Sequence, residues 1–176
     1  MAWTAPATWL AGSTLTAAQL NQQVRDNTNA LYSTVQRLAY QQRTTDYTAQ
    51  GTEPGTNGNI FASNLTWTAD GTSAYRVEFF ASLMNTGSTV GSEAFISFVN
   101  SAGTSLGRMY QVGVADGTRS ASNGVYISWY YTPTAGAAAI NARGWRSNSD
   151  ATIKGGASGA GNYVPMFMAV YGPDIT

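Results

Sequence analysis

The chain has 176 residues, enough for one moderate domain with an appendage. Nine basic and nine acidic residues cancel, and only 10% of positions are charged against a usual figure of about 25%, which excludes binding to nucleic acid or a membrane surface through a basic patch. Cysteine and histidine are both absent. That removes disulfides, thiolate metal sites, the commonest metal ligand and the commonest general base, so no metal or cofactor is expected.

Residues 1–13 (MAWTAPATWLAGS) hold Trp3, Pro6, Trp9 and Leu10. They lack a basic segment followed by an apolar core, so they do not read as a secretory signal, and synthesis in a cytoplasm is expected. No apolar run approaches the roughly 18 residues that cross a bilayer, and no membrane insertion is expected. Large aromatics in so short a stretch need a surface to pack on, since each buries apolar area worth about 1.5–3 kcal/mol. Residues 1–13 therefore read as an anchor that docks on a sister chain or a larger assembly.

Residues 14–44 read as one long helix. Thr16 is a candidate N-cap, with Gln19 placed for a capping box. Leu20, Val24, Asn27, Leu31, Thr34 and Leu38 then follow in alternating steps of four and three, the heptad spacing of a coiled coil. An apolar stripe so narrow suits a helix that pairs with copies of itself. Asn27 and Thr34 would be polar positions on the axis, which fix register and strand number. An ordinary amphipathic helix packed on the remainder of the chain is the alternative.

Residues 45–58 are turn-rich and read as a linker. Short β-prone runs follow at regular spacing: Ile60–Trp67, Tyr75–Ala81, Phe95–Val99, Gly107–Val114, Val125–Tyr131, Ala137–Trp145 and Tyr163–Tyr171. This predicts a mainly β protein whose residues 59–176 form a β-sandwich or jelly roll. Val77–Phe80 and Tyr126–Tyr131 are apolar on both faces, although a two-layer sandwich needs only one buried face per sheet. Packing against symmetry mates is the economical explanation.

Trp9, Gly12, Leu15-Thr16-Ala17, Leu20-Asn21 and Val24-Arg25-Asp26-Asn27 before Leu31 make a pattern that resembles the N-terminus of small bacteriophage virion structural proteins of the minor tail or tail-fibre type. Tyr75-Arg76-Val77-Glu78, the Ala139–Arg143 run and Met168–Pro173 resemble strands of a C1q/TNF-like jelly roll. Together the two resemblances imply a homotrimer on the virion, joined to other virion proteins by its N-terminus. A capsid decoration protein or head fibre on a three-fold or quasi-three-fold site is the alternative placement.

Catalysis finds little to work with. Without histidine there is no Ser-His pair, and Lys154, the single lysine, sits in a glycine-rich loop. Glu78 and Glu93 are the tempting carboxylates for a glycosidase pair, which needs about 5–9.5 Å between them; pairing with arginine is the expected fate of both. Asp116 and Asp150 could contribute to a calcium site, but no acidic cluster surrounds them. Tyr130, Tyr131, Trp145 and Arg146 lie near strand ends and are candidates for a recognition surface for host glycan or protein. A non-enzymatic protein is therefore expected.

Overall fold

The computed structural model describes residues 14, 16–28, 36–49, 51, 58–113, 121–147, 151–156 and 163–173. They form ten strands: β1 Arg37–Arg43, β2 Tyr47–Thr48, β3 Leu65–Ala69, β4 Tyr75–Asn85, β5 Glu93–Asn100, β6 Ser105–Gly113, β7 Ser122–Tyr131, β8 Gly136–Ser147, β9 Thr152–Lys154 and β10 Met166–Pro173. The expectation of a mainly β, sandwich-like protein holds.

Two antiparallel sheets result. In sheet A, β7 runs along one side of β4 from Tyr75 to Asn85. On the other side, β10 takes Tyr75–Phe80 and β9 takes Leu83–Asn85, with β1 outside β10 and β2 outside β9. Sheet B has the order β3-β8-β5-β6. β4 reads YRVEFFASLMN, and its odd positions Tyr75, Val77, Phe79 and Ala81 are all buried. They meet Ile96 and Phe98 of β5, Ile140 of β8, and Met168 and Val170 of β10 in one core. The two-residue period sends alternate side chains to opposite faces, so one register decides both core and surface.

The N-terminal helix differs from expectation. The Thr16–Gln19 capping box forms, and the α-helix runs over Ala17–Leu20. It then widens into a π-helical stretch, Asn21–Asp26. That slower winding turns Asn27 off the ridge of Leu20 and Val24. Leu20 and Val24 are 53% and 56% exposed, whereas Asn27 is 5% exposed. Leu31 and Thr34 lie outside the described residues. The helix predicted to run to Thr44 is corrected at its far end, because Arg37–Arg43 is a strand paired with β10. Leu38 accordingly leaves the helical seam; it sits at a register shift in β1 and packs on the sandwich core. No proline or glycine marks the change, and pairing with a distant strand overrides the local spacing.

The predicted linker is also partly built in. Tyr47 of β2 is buried and its hydroxyl donates to the carbonyls of Gly58 (2.7 Å) and Gly144 (3.1 Å). Gly144 must lack a side chain, since a Cβ there would lie 2.7 Å from Tyr47 Cε1 and 3.0 Å from Ile153 Cδ1. Arg43 closes the neighbouring gap between the sheets. Its Nη1, Nη2 and Nε donate to the carbonyls of Ile60, Asp46 and Thr45.

Gly144→Ala is therefore expected to cost about 1–3 kcal/mol by overpacking, read from urea unfolding. Burial pushes the Tyr47 hydroxyl up to about 12. Its folded value exceeds the unfolded one of about 10, so its contribution is intact below pH 10 and is lost as pH rises toward 12. Unfolding stability measured across that window should fall, and Tyr47→Phe should flatten the fall while lowering stability near pH 7 by about 1–3 kcal/mol.

Candidate functional site

The outward side chains of sheet A form three rows, each crossing β1, β10, β4 and β7. One row reads Arg37, Tyr171, Arg76, Tyr130; the next Tyr40, Ala169, Glu78, Ser128; the third Gln42, Phe167, Phe80, Tyr126. The middle row has small residues on both sides of Glu78, and the larger side chains around it lean over the gap. Glu78 is only 8% exposed although it points away from the core. Tyr126 donates its hydroxyl to Glu78 Oε1 at 2.9 Å, and Arg76 Nη1 lies 3.5 Å from the same oxygen. The carboxylate holds the Tyr126 hydroxyl above its usual range, and burial together with Glu78 does the same for Tyr171.

Aromatic rings extend this node across the sheet. Phe80 stacks on Phe167 with centroids 5.5 Å apart, and Tyr40 leans on Phe167 at 5.9 Å. The Arg37 guanidinium lies 4.4 Å over Tyr40, and that of Arg76 lies 4.6 Å over Tyr171. Tyr126 is 60% exposed and Tyr130 49%. Tyrosine, phenylalanine and arginine on a surface poor in lysine and aspartate match the composition of the buried centre of protein interfaces.

The outer face of sheet B is closed by its own side chains. Phe95 and Trp145 stack at 3.8 Å, and Arg108 lies over both rings at 4.3 and 4.8 Å. Trp145 Nε1 donates to Ser97 Oγ, and Gln111 Nε2 donates to Glu93 Oε1. Arg143 Nε donates to Asn59 Oδ1, and its Nη1 to the Gly103 carbonyl. Among the described residues the exposed aromatics Tyr40, Tyr126 and Tyr130 all belong to sheet A's outer face, while the other large exposed hydrophobics, Leu20, Val24, Val90 and Val164, lie outside the strands.

These positions separate the recognition candidates. Tyr130 lies on the aromatic face. Tyr131 points inward, stacked on Trp129 at 5.5 Å and edge-on to Trp67. Trp145 is sealed under Arg108 on the other sheet. Arg146 is half-buried on the opposite parity of β8, in register with Ala94 of the core. The four residues therefore do not form one surface. Tyr40, Phe80, Tyr126, Phe167 and Tyr171 were missed as a group; the signal was the apolar second face of Val77–Phe80 and Tyr126–Tyr131.

Glu78 and Glu93 point outward from opposite sheets, which pack about 10 Å apart before side-chain length is added. They are too distant for the glycosidase pair considered from the sequence. Among the described residues, no group of three or more acidic residues could hold a metal ion, and no helix is long and apolar enough to cross a membrane. Asp116 and Asp150, like the anchor residues Trp3, Pro6, Trp9 and Leu10, lie outside the described residues.

No family model and no curated protein sequence matches the chain. Among solved structures it is similar to infectious bursal disease virus, Gx strain, at 17% identity and TM-score 0.38, over 78% of this chain and 37% of that one. It is also similar to dimeric latent PorU from Porphyromonas gingivalis, at 8% identity and TM-score 0.34, over 80% and 13%. The VP2 subviral particle of infectious bursal disease virus follows at 13% identity and TM-score 0.32, over 80% and 38%. The chain thus spans well under half the length of the chains it matches. At these TM-scores the likeness carries no functional argument, and the sandwich stands on its own strand pairing.

The Tyr126–Glu78 contact can be read directly by ultraviolet titration. Tyr126 should ionise later than a free tyrosine, and Glu78→Gln should move two tyrosine transitions, those of Tyr126 and Tyr171, down toward pH 10. Superimposable titration curves for the two proteins would remove Glu78 as the organiser of this face.

Proposed function

We propose that the chain is a non-enzymatic structural protein of a bacteriophage virion, a homotrimer of tail-tip or tail-fibre type. Residues 1–13 dock it to the particle, and the β-domain is displayed outward, where it is available to host glycan or protein. The observation that carries this reading is the difference between the two outer faces. Sheet B satisfies its own aromatic and polar groups, while among the described residues sheet A leaves Tyr40, Tyr126 and Tyr130 exposed and Phe80, Phe167 and Tyr171 half-buried on its outer face. A protein that works as a single copy has no use for such a face, which wastes about 1.5–3 kcal/mol of burial for each large side chain left in water.

Three further features support the reading. The eight principal strands form two four-row sheets, β1-β10-β4-β7 and β3-β8-β5-β6, as a jelly roll does. Leu20 and Val24 offer a second apolar ridge, on the segment whose sequence resembles phage virion proteins. The sandwich is also polar in the sense that display needs. β1 enters beside Tyr171, Arg76 and Tyr130 at one end, and the 86–92 turn leaves β4 at the other, beyond Asn85.

Sedimentation of the purified protein should give three times the chain mass. Tyr126→Glu, which sets a second carboxylate beside Glu78 on the face, should shift it toward monomer with an unchanged far-ultraviolet spectrum. A monomeric wild type at micromolar concentration would sink the reading. Deleting residues 1–13 should preserve the oligomer and abolish incorporation into particles. A few trimers per virion would place the protein on the tail, and hundreds of chains would place it on the capsid.

A further inference from the structure

β1 is the outermost strand of sheet A, three strands away from β7. Its outer edge runs beside residues 60–63, yet among the described residues no main-chain hydrogen bond joins the two. Side chains cross the gap instead. Gln41 Nε2 donates to Ser63 Oγ, and Arg43 Nη1 donates to the Ile60 carbonyl at 2.6 Å. The gap holds an open slot of about 400 Å³, walled by Gln41, Gln42, Arg43 and Thr45 on one side and residues 60–62 on the other.

Both walls are fixed by contacts of the chain itself. Asn141 is fully buried; its Nδ2 donates to the carbonyls of Phe61 (3.1 Å) and Ser63 (2.9 Å), and its Oδ1 accepts from the Phe61 N–H (3.4 Å). Arg43 Nη2 and Nε donate to the Asp46 and Thr45 carbonyls, and the guanidinium lies 5.2 Å over the Tyr47 ring. A ligand entering between rigid walls avoids the entropy cost of ordering them. The volume falls at the small end of the range for ligand sites, about 300–1,000 Å³.

The lining decides the ligand class. It contains no carboxylate and no lysine. Its one charged group, Arg43, already directs each of its nitrogens at a main-chain carbonyl, so the fork that grips a carboxylate or phosphate is occupied. The uncommitted groups are neutral. Tyr40 donates to Gln42 Oε1 at 3.1 Å, which leaves Nε2 as the group that Gln42 offers. Among the described residues Gln42 Nε2, Gln41 Oε1 and the Thr45 hydroxyl have no hydrogen-bond partner. One donor, one acceptor and one group that is both suit the neighbouring hydroxyls of a sugar, each of which donates and accepts. An extended peptide does not fit, because the Gln41–Ser63 and Arg43–Ile60 bonds cross the edge along which it would have to pair.

We propose that this slot is a subsite for one neutral sugar unit of a host-surface glycan, held by Gln41, Gln42 and Thr45. The proposal rests on the reading of the β-domain as displayed outward from the particle, and it gives that domain a ligand and a place to hold it.

Saturation-transfer NMR on the full chain tests it, with methyl β-galactoside, methyl β-N-acetylglucosaminide and methyl β-glucuronide as probes. At least one of the two neutral glycosides should take up saturation at millimolar concentration, and the glucuronide should not displace it. Gln42→Ala should weaken that binding about three- to tenfold, the contribution of one hydrogen bond. Ala62→Trp, which fills the slot from its exposed wall, should abolish it. Should Ala62→Trp fail to fold, Thr45→Val beside Gln42→Ala carries the same test. No transfer from either neutral glycoside, unchanged binding in the variants, or tighter binding of the glucuronide would each overturn the subsite. Sedimentation of the same samples separates this from the homotrimer reading. A trimer that binds neither neutral sugar overturns the subsite alone, and a monomer that binds one overturns the trimer while supporting the subsite.

Discussion

The fold depends on β4 being paired along its whole length. β7 takes one side, and β10 and β9 share the other, so its main chain is satisfied by three other strands. A strand held on both sides cannot slip, because a one-residue shift would send Val77 and Phe79 to the surface and Glu78 to the core. The same register that places Tyr75, Val77, Phe79 and Ala81 inside therefore places Arg76, Glu78 and Phe80 outside. Core and candidate interface are two consequences of one alignment.

The neighbours of Glu78 decide what that outer face becomes. Ala169 and Ser128 are too small to fill the space beside it. Tyr126 and Arg76 fill it, and a carboxylate on an open sheet face ends up buried and hydrogen-bonded. The rings around it cannot also turn inward, so their apolar area stays available. On sheet B the large side chains have one another: Trp145 has Phe95 to stack on and Arg108 to cover both. Similar residue types thus give a closed surface on one side of the sandwich and an open one on the other, because the cross-strand partners differ.

Some of this was legible in the residues. The β-runs were readable because the two-residue period of YRVEF or VYISWYY needs no tertiary information, and the apolar second face of those runs already pointed to contacts beyond a two-layer core. The Thr16–Gln19 cap was readable for the same local reason. The end of the helix was not. RLAYQQR supports a helical stripe through Leu38 as well as a strand, and its neighbours contain no breaker. Only β10, more than 120 positions later, supplies the hydrogen bonds that choose the strand.

The sequence by itself determined a charge-poor, mainly β chain without histidine or cysteine chemistry, with runs at Val77–Phe80 and Tyr126–Tyr131 that are apolar on both faces. Composition and local period carry that information residue by residue. The tertiary structure alone decided that Tyr130 would be exposed while Trp145 was sealed, that Glu78 and Glu93 would face away from each other, and that Tyr47 would lock the supposed linker against Gly144. Each of these is a contact between residues far apart in the chain, set by which strand lies beside which, and strand order has no local signature.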